Sequence, residues 1–233
     1  MFLASAGIAG ATTTYIANGT TSTGQTVYAE ADFTFSTNLL TLTLTNLLVN
    51  PSNVGQNITD FEFTIASLAG TPTLQAYPST VAPQLVTITG NGPSDYSIAS
   101  AGYDPGWAFS YSSGNFSLDG LTGSANGPAY SIVGAPGAGG YTAANGSLKT
   151  NPHNPMIYQT ATWAFNIANN SGTDLPVTHI FFSFGTAAGE DIFSCDTAGG
   201  CLATPEPNSL LLLGTGLGAV AFVALRAKRK RAV

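Results

Sequence analysis

Charge is the scarcest property of this chain. Asp, Glu, Lys and Arg together make up 8% of its 233 residues. Residues 1–204 hold eleven acidic residues and a single basic one, Lys149, a net charge of −10. A surface with one Lys cannot neutralise a row of phosphates, so nucleic-acid binding is excluded. Solubility has to come from Ser, Thr, Asn and Gly, which suits a secreted, matrix-facing protein better than a cytosolic enzyme. Cysteine is almost missing, Cys195 and Cys201 being the only two. Two sulfurs without a nearby His do not complete a tetrahedral metal site, and their spacing is not that of a C-x-x-C redox pair. Histidine is limited to His153 and His179, and no G-x-S-x-G elbow is present to supply a nucleophile. No window of helical period appears in the first half of the chain, which argues against any helical fold there.

What the chain has in quantity is two-residue alternation. Val27, Ala29, Ala31, Phe33 and Phe35 face one way, with Tyr28, Glu30, Asp32 and Thr34 the other. Leu40, Leu42 and Leu44 alternate with Thr41, Thr43 and Thr45. Ser36–Asn38 between them reads as a turn, making the pair a β-hairpin. Further strands are expected where Phe61, Phe63 and Ile65 alternate with Asp60, Glu62 and Thr64, and at 84–89, 107–111, 116–121 and 130–133. Two strong ones follow at 160–167, with Trp163, Phe165 and Ile167 on one face, and 177–184, with Ile180, Phe182 and Phe184 on one face. Pro-Gly, Asn-Gly and Gly-Gly steps punctuate residues 90–155, and 134–151 reads as a long exposed loop. Many short strands, abundant turns and few helix signals predict an all-β fold: an antiparallel β-sandwich, jelly-roll or immunoglobulin-like, over residues 12–203.

Candidate chemistry within that domain is thin. Glu30 with Asp32, and Asp60 with Glu62, each lie two residues apart on one strand face, where oxygen ligands for calcium converge if the strands are neighbours. Glu190, Asp191 and Asp196 form a second acidic cluster. The chain lacks a twelve-residue calcium loop and nonapeptide calcium repeats, so solvated acidic faces are the plainer reading. Paired carboxylates also serve glycoside hydrolysis, but only at a separation that no sequence supplies. The outward row Thr41, Thr43, Thr45 has the regularity of an ice- or polysaccharide-matching surface, and Thr is also simply a good strand residue. Asn-x-Ser/Thr triplets start at Asn18, Asn57, Asn115, Asn145 and Asn169; they accept glycans only in a suitable host. No catalytic residue and no cofactor is expected.

The two ends differ from the body. Met1–Gly10 is apolar and small, and Ala9-Gly10-Ala11 is an A-x-A cleavage pattern that leaves Thr12 as the mature start. A basic n-region and a longer h-region are missing, so residues 1–11 are expected to be a truncated signal-peptide remnant whose start codon lies upstream; an ordinary N-terminal strand is the alternative. At the other end Pro205-Glu206-Pro207-Asn208 precedes an uncharged apolar run, Ser209–Leu225, followed by Arg226, Lys228, Arg229, Lys230 and Arg231. Seventeen helical residues rise about 26 Å, slightly under the hydrocarbon thickness of a bilayer, and span with a little thinning. A core helix this apolar would seldom end in a block of like charges.

Pro-Glu-Pro, a short span and a basic terminus in that order resemble the PEP-CTERM sorting tail, also labelled the ice-binding protein C-terminal domain. The resemblance covers residues 205–231. It implies that Pro205, Glu206 and Pro207 form the recognition motif of an exosortase-type membrane protease. It further implies that 209–225 is a single transmembrane helix within a tail of 204–233, and that the basic residues at 226–231 are the stop-transfer signal. The expected location is exported: anchored in the inner membrane with the C-terminus cytoplasmic, then at the cell surface or in the extracellular matrix, with exopolysaccharide a candidate partner. On that oxidising side Cys195 and Cys201 are expected to close a disulfide, free thiols being the alternative. The exported domain itself is expected to be a non-catalytic structural or adhesive protein, with a surface lectin or glycan-active enzyme as the rival.

Overall fold

The alternation beginning at Val27 does not stop at Ser36. In the computed structural model, which describes residues 12–75, 83–100, 106–122, 129–187, 191–195 and 201–205, Thr26–Asn46 is one strand of 21 residues. In chain order the strands are β1 (Thr12–Thr20), β2 (Thr26–Asn46), β3 (Ile58–Thr64), β4 (Ala69–Leu74), β5 (Gln84–Ile88), β6 (Tyr96–Ser100) and β7 (Ala108–Ser112). They continue with β8 (Asn115–Asp119), β9 (Ile132–Val133), β10 (Met156–Tyr158), β11 (Thr160–Ser171), β12 (Thr178–Phe184), β13 (Asp191–Ser194) and β14 (Leu202–Pro205). One turn of 3-10 helix at Val54–Gln56 and one of α-helix, α1 (Gly146–Lys149), complete the elements of the described residues.

The expected hairpin at Ser36–Asn38 is therefore corrected to a bulge. Asn38 sits in the left-handed region, φ 57°, which Asn tolerates better than most residues. The pairing of β2 with β11 shifts register between Asn166 and Ser171, and the Asn170 N–H donates to Asn38 Oδ1 at 3.1 Å. The buried residues change from odd numbers, Val27 to Phe35, to even ones, Leu40 to Leu44. A bulge allows this change of phase without reversing the chain.

β2 thus serves two partners. Its first half pairs antiparallel with β1, from Thr12 opposite Thr34 to Thr20 opposite Thr26, and its second half with β11. The five-stranded sheet runs β14-β1-β2-β11-β4. The other sheet runs β13-β12-β3-β9-β10-β5-β6, with β8 on β3 and β7 on β8. It is mixed rather than purely antiparallel, because β9 and β10 pair in parallel. A parallel pair needs a long crossover connection, and residues 134–155 supply it. Part of that stretch is core rather than the exposed loop its Gly-rich composition predicts. Tyr141 and Leu148 are fully buried and join Val54, Val86, Ile88, Val133, Ala144 and Met156 in a small second cluster.

The main core lies between the two sheets. Phe33 of β2 meets Phe63 of β3 at 5.0 Å between ring centroids. Phe63 stacks on Phe116 of β8 at 4.5 Å, and Phe116 meets Phe165 of β11 edge-on at 5.5 Å. Trp107 and Trp163 close one end at 5.0 Å. No helix among the described residues is long and apolar enough to cross a membrane. Residues 1–11 and 209–225 lie outside the described residues.

Phe63 touches rings from both sheets, so Phe63→Ala is expected to cost about 3–5 kcal/mol of unfolding free energy. Urea denaturation should show a lower midpoint with little change of slope.

Candidate functional site

The inward phase of β3, set by Phe61 and Phe63, turns Asp60 and Glu62 to the outer face of the nine-stranded sheet. Across the strand on one side Asp60 stands opposite Asp119, and Glu62 opposite Ser117, both on β8. On the other side they face Ser183 and Phe181 of β12. These residues with Ile192 of β13 line a cleft of about 260 Å³. Glu62 is exposed, whereas Asp60 is only 7% exposed.

Neither carboxylate oxygen of Asp60 has a hydrogen-bond partner. Burial, then the Asp119 carboxyl, push the pKa of Asp60 up to about 8, with Glu62 adding to the rise and the Gly120 N–H opposing it. Burial pushes Asp119 up as well, but its hydrogen bonds win and hold it below the ordinary value. Its Oδ1 accepts from the Leu121 N–H at 2.8 Å and the Thr122 N–H at 3.0 Å, and its Oδ2 accepts from the Thr122 hydroxyl. Burial on one side and donors on the other thus push the two neighbouring acids in opposite directions.

The structure keeps the other predicted pair away. Glu30 and Asp32 are on β2, on the outer face of the opposite sheet, and Asp32 accepts from the Thr14 hydroxyl. Burial and then Asp32 raise the Glu30 carboxyl. The aromatic core separates this pair from Asp60 and Glu62, so the four carboxylates do not converge. Asp191 is buried and accepts from the Thr23 hydroxyl on both oxygens, at 2.7 and 2.8 Å, which ties β13 to the β1–β2 turn. Glu190 and Asp196 lie outside the described residues. His153 Nδ1 contacts the Ser147 carbonyl, and His179 stands on β12 with φ 48°. The Thr row continues across to β11, where Thr43 pairs with Thr162 at 3.0 Å and Thr45 with Thr160 at 3.2 Å. Asn57 is fully buried, and its side-chain amide donates to the Ser131 hydroxyl at 2.9 Å.

Ser117, Asp119 and Ser183 are the polar cleft residues that sequence reasoning missed. All three alternate with core residues, Leu118 and Phe182, so their outward direction was readable. The meeting of Asp119 and Ser183 with Asp60 depends on strand pairings across 59 and 123 positions, which alternation does not encode.

Cys195 and Cys201 form a disulfide, with Cα atoms 4.4 Å apart. It links the end of β13, in one sheet, to the start of β14, at the edge of the other. β14 pairs antiparallel with β1, placing Pro205 opposite Thr13. Of the predicted tail, only Pro205 and the residue before it are described. Glu206, Pro207 and the basic residues Arg226, Lys228, Arg229, Lys230 and Arg231 lie outside the described residues.

The comparisons with known proteins bear on this tail. Residues 203–230 match the family model of the PEP-CTERM protein-sorting motif. No curated protein and no solved structure matches the chain.

Because the folded-state pKa of Asp60 is raised to about 8, the fold favours its protonated form. Its ionisation therefore destabilises the fold progressively as pH rises from about 4 to about 8. In chelator-treated buffer Asp60→Asn should flatten that part of the stability-versus-pH curve, read by urea denaturation at each pH. Reducing the disulfide should lower unfolding free energy by roughly 2 kcal/mol, the loop-closure value for so short a loop. Non-reducing mass mapping should recover residues 195 and 201 in one cross-linked peptide.

Proposed function

We propose that this chain, which carries the PEP-CTERM sorting motif, is an exported β-sheet protein processed by an exosortase-type membrane protease and displayed at the cell surface or in the extracellular matrix. The match of residues 203–230 carries the reading. In it, Pro205, Glu206 and Pro207 are the protease's recognition motif. Residues 209–225 cross the inner membrane once, and the cationic end stays cytoplasmic because moving it through the bilayer is costly. The disulfide between Cys195 and Cys201 supports delivery to an oxidising compartment. The two sheets facing one aromatic core support a β-sandwich, jelly-roll or immunoglobulin-like in type.

For the exported domain the role is structural or adhesive rather than catalytic. The cleft at Asp60 favours this over the glycan-active alternative. Asp60 and Asp119 are direct cross-strand neighbours on one sheet face, whereas glycoside hydrolysis needs two carboxyls flanking the sugar, about 5–9.5 Å apart.

β14 ends at Pro205, so the fold reaches the first residue of the motif without a linker. Glu206→Ala with Pro207→Ala therefore changes the motif without touching the strand. The tagged double variant, expressed in the native host, is expected to accumulate with its tail intact in the membrane fraction. Surface display equal to that of the unaltered chain would refute the reading.

A further inference from the structure

No Lys or Arg is among the described residues that line the cleft with its three acids. Lys149 is the only Lys or Arg in residues 1–204, and its Nζ is engaged by Asn91 Oδ1 at 2.6 Å. Asp60 is the sharpest case. Its carboxyl group is buried, lines the cleft and has no partner on either oxygen. A buried, unpartnered carboxylate is costly, and native structures compensate one with a proton, a donor or a metal ion. Asp119 faces Asp60 across a single strand pairing, which places the two Cβ atoms about 4.5–5.5 Å apart. The Leu121 and Thr122 donors hold the Asp119 carboxylate in place.

We propose that the cleft between β3, β8 and β12 is a calcium site, with Asp60 and Asp119 as its central ligands and Glu62 as a third carboxylate. Every polar group lining the cleft offers oxygen: Asp60, Glu62, Asp119 and the hydroxyls of Ser117 and Ser183. An oxygen-only donor set selects a hard cation over zinc or copper. The described residues hold no group of three acidic, His or Cys side chains already gathered for a metal. Glu62 has to turn in from its exposed position, and water has to fill the remaining positions. Calcium accepts six to eight oxygens in variable geometry, waters included, whereas magnesium demands a near-ideal octahedron. The proposal stands apart from the sorting tail and does not depend on it.

The test uses the full chain in detergent, with calcium ions as the probe, in equilibrium dialysis and in thermal melting. The unaltered chain is expected to bind one calcium ion and to melt at higher temperature with calcium than with chelator. Asp60→Asn and Asp119→Asn are expected to weaken binding by more than about tenfold, the loss that even outer-shell changes bring, and to abolish the calcium-dependent rise in Tm. Glu62→Gln, at an exposed position, should weaken binding with the chelator-state Tm unchanged, which keeps the test valid if either buried variant fails to fold. Glu30→Gln with Asp32→Asn, on the other sheet, should bind as the unaltered chain does. Absence of bound calcium, magnesium binding of equal strength, or unchanged binding in Glu62→Gln and whichever of the Asp60 and Asp119 variants fold would each overturn the proposal.

Discussion

One strand has to satisfy two neighbours with opposite phases. The first half of β2 pairs with β1 and buries odd-numbered residues, and the second half pairs with β11 and buries even-numbered ones. Without the shift at Asn38, continuing the odd phase would turn Leu40, Leu42 and Leu44 to solvent and bring Thr41, Thr43 and Thr45 into the aromatic core. The rest of the five-stranded sheet hangs on this junction. β14 reaches the sheet only through β1, and β4 only through β11. Phe33 and Phe165 meet the rings of the opposite sheet from the two sides of it. A local backbone exception, one left-handed Asn opposite a bulge, thus sets where both the core and the tail-bearing edge lie.

The parts of this fold that were legible in the sequence are those in which side-chain direction alone decides. Alternation marked the inward faces of β3, β11 and β12, and Phe61, Phe63, Trp163, Phe165, Ile180 and Phe182 are all buried. It also marked both halves of β2, but a change of phase looks the same in sequence whether the chain turns or bulges. The Asn and Ser at 36–38 suited either outcome. Residues 134–151 misled for a different reason. Their Gly and Ala content resembles solvent-exposed loop, yet Tyr141 is held inside by its hydroxyl donating to the Gly134 carbonyl at 2.9 Å. Asp60 and Glu62 were visible as an outward pair, whereas their burial difference and the partnership with Asp119 come from strand order, which is a property of the whole chain.

Scarcity of charge has a structural counterpart in amide side chains. Asn46 is fully buried and donates to the carbonyls of Gln56 and Ile132, each at 2.9 Å. Gln56 in turn donates to the Thr26 carbonyl at 2.9 Å. Asn91 reaches the carbonyls of Thr142 and Ala144 at 3.0 and 2.8 Å. Asn154 takes the Ile88 N–H at 3.0 Å and donates to the Leu148 carbonyl at 3.1 Å. An amide both donates and accepts without the desolvation cost of an ion, so these residues satisfy irregular backbone at the sheet ends where ladder pairing stops. The chain therefore joins its loops to its sheets with almost no ion pairs to draw on, and the few buried acids stand out.

The position of β14 connects this fold to the sorting tail. An edge strand leaves half of its backbone groups unpaired, and a proline, which has no N–H, is tolerated there and not in the middle of a sheet. Pro205 is at such a place, opposite Thr13 on β1. The residue that ends the sheet and the residue that begins the Pro-Glu-Pro motif are therefore the same, and proline suits both roles. The disulfide at Cys195 and Cys201 lies immediately before the strand and shortens the free path between the two sheets, so the edge is held from its own start. Any factor that needs Pro205 in a different conformation has to detach a short strand whose start the disulfide secures, and the four register positions of its pairing with β1 set how much structure that detachment removes.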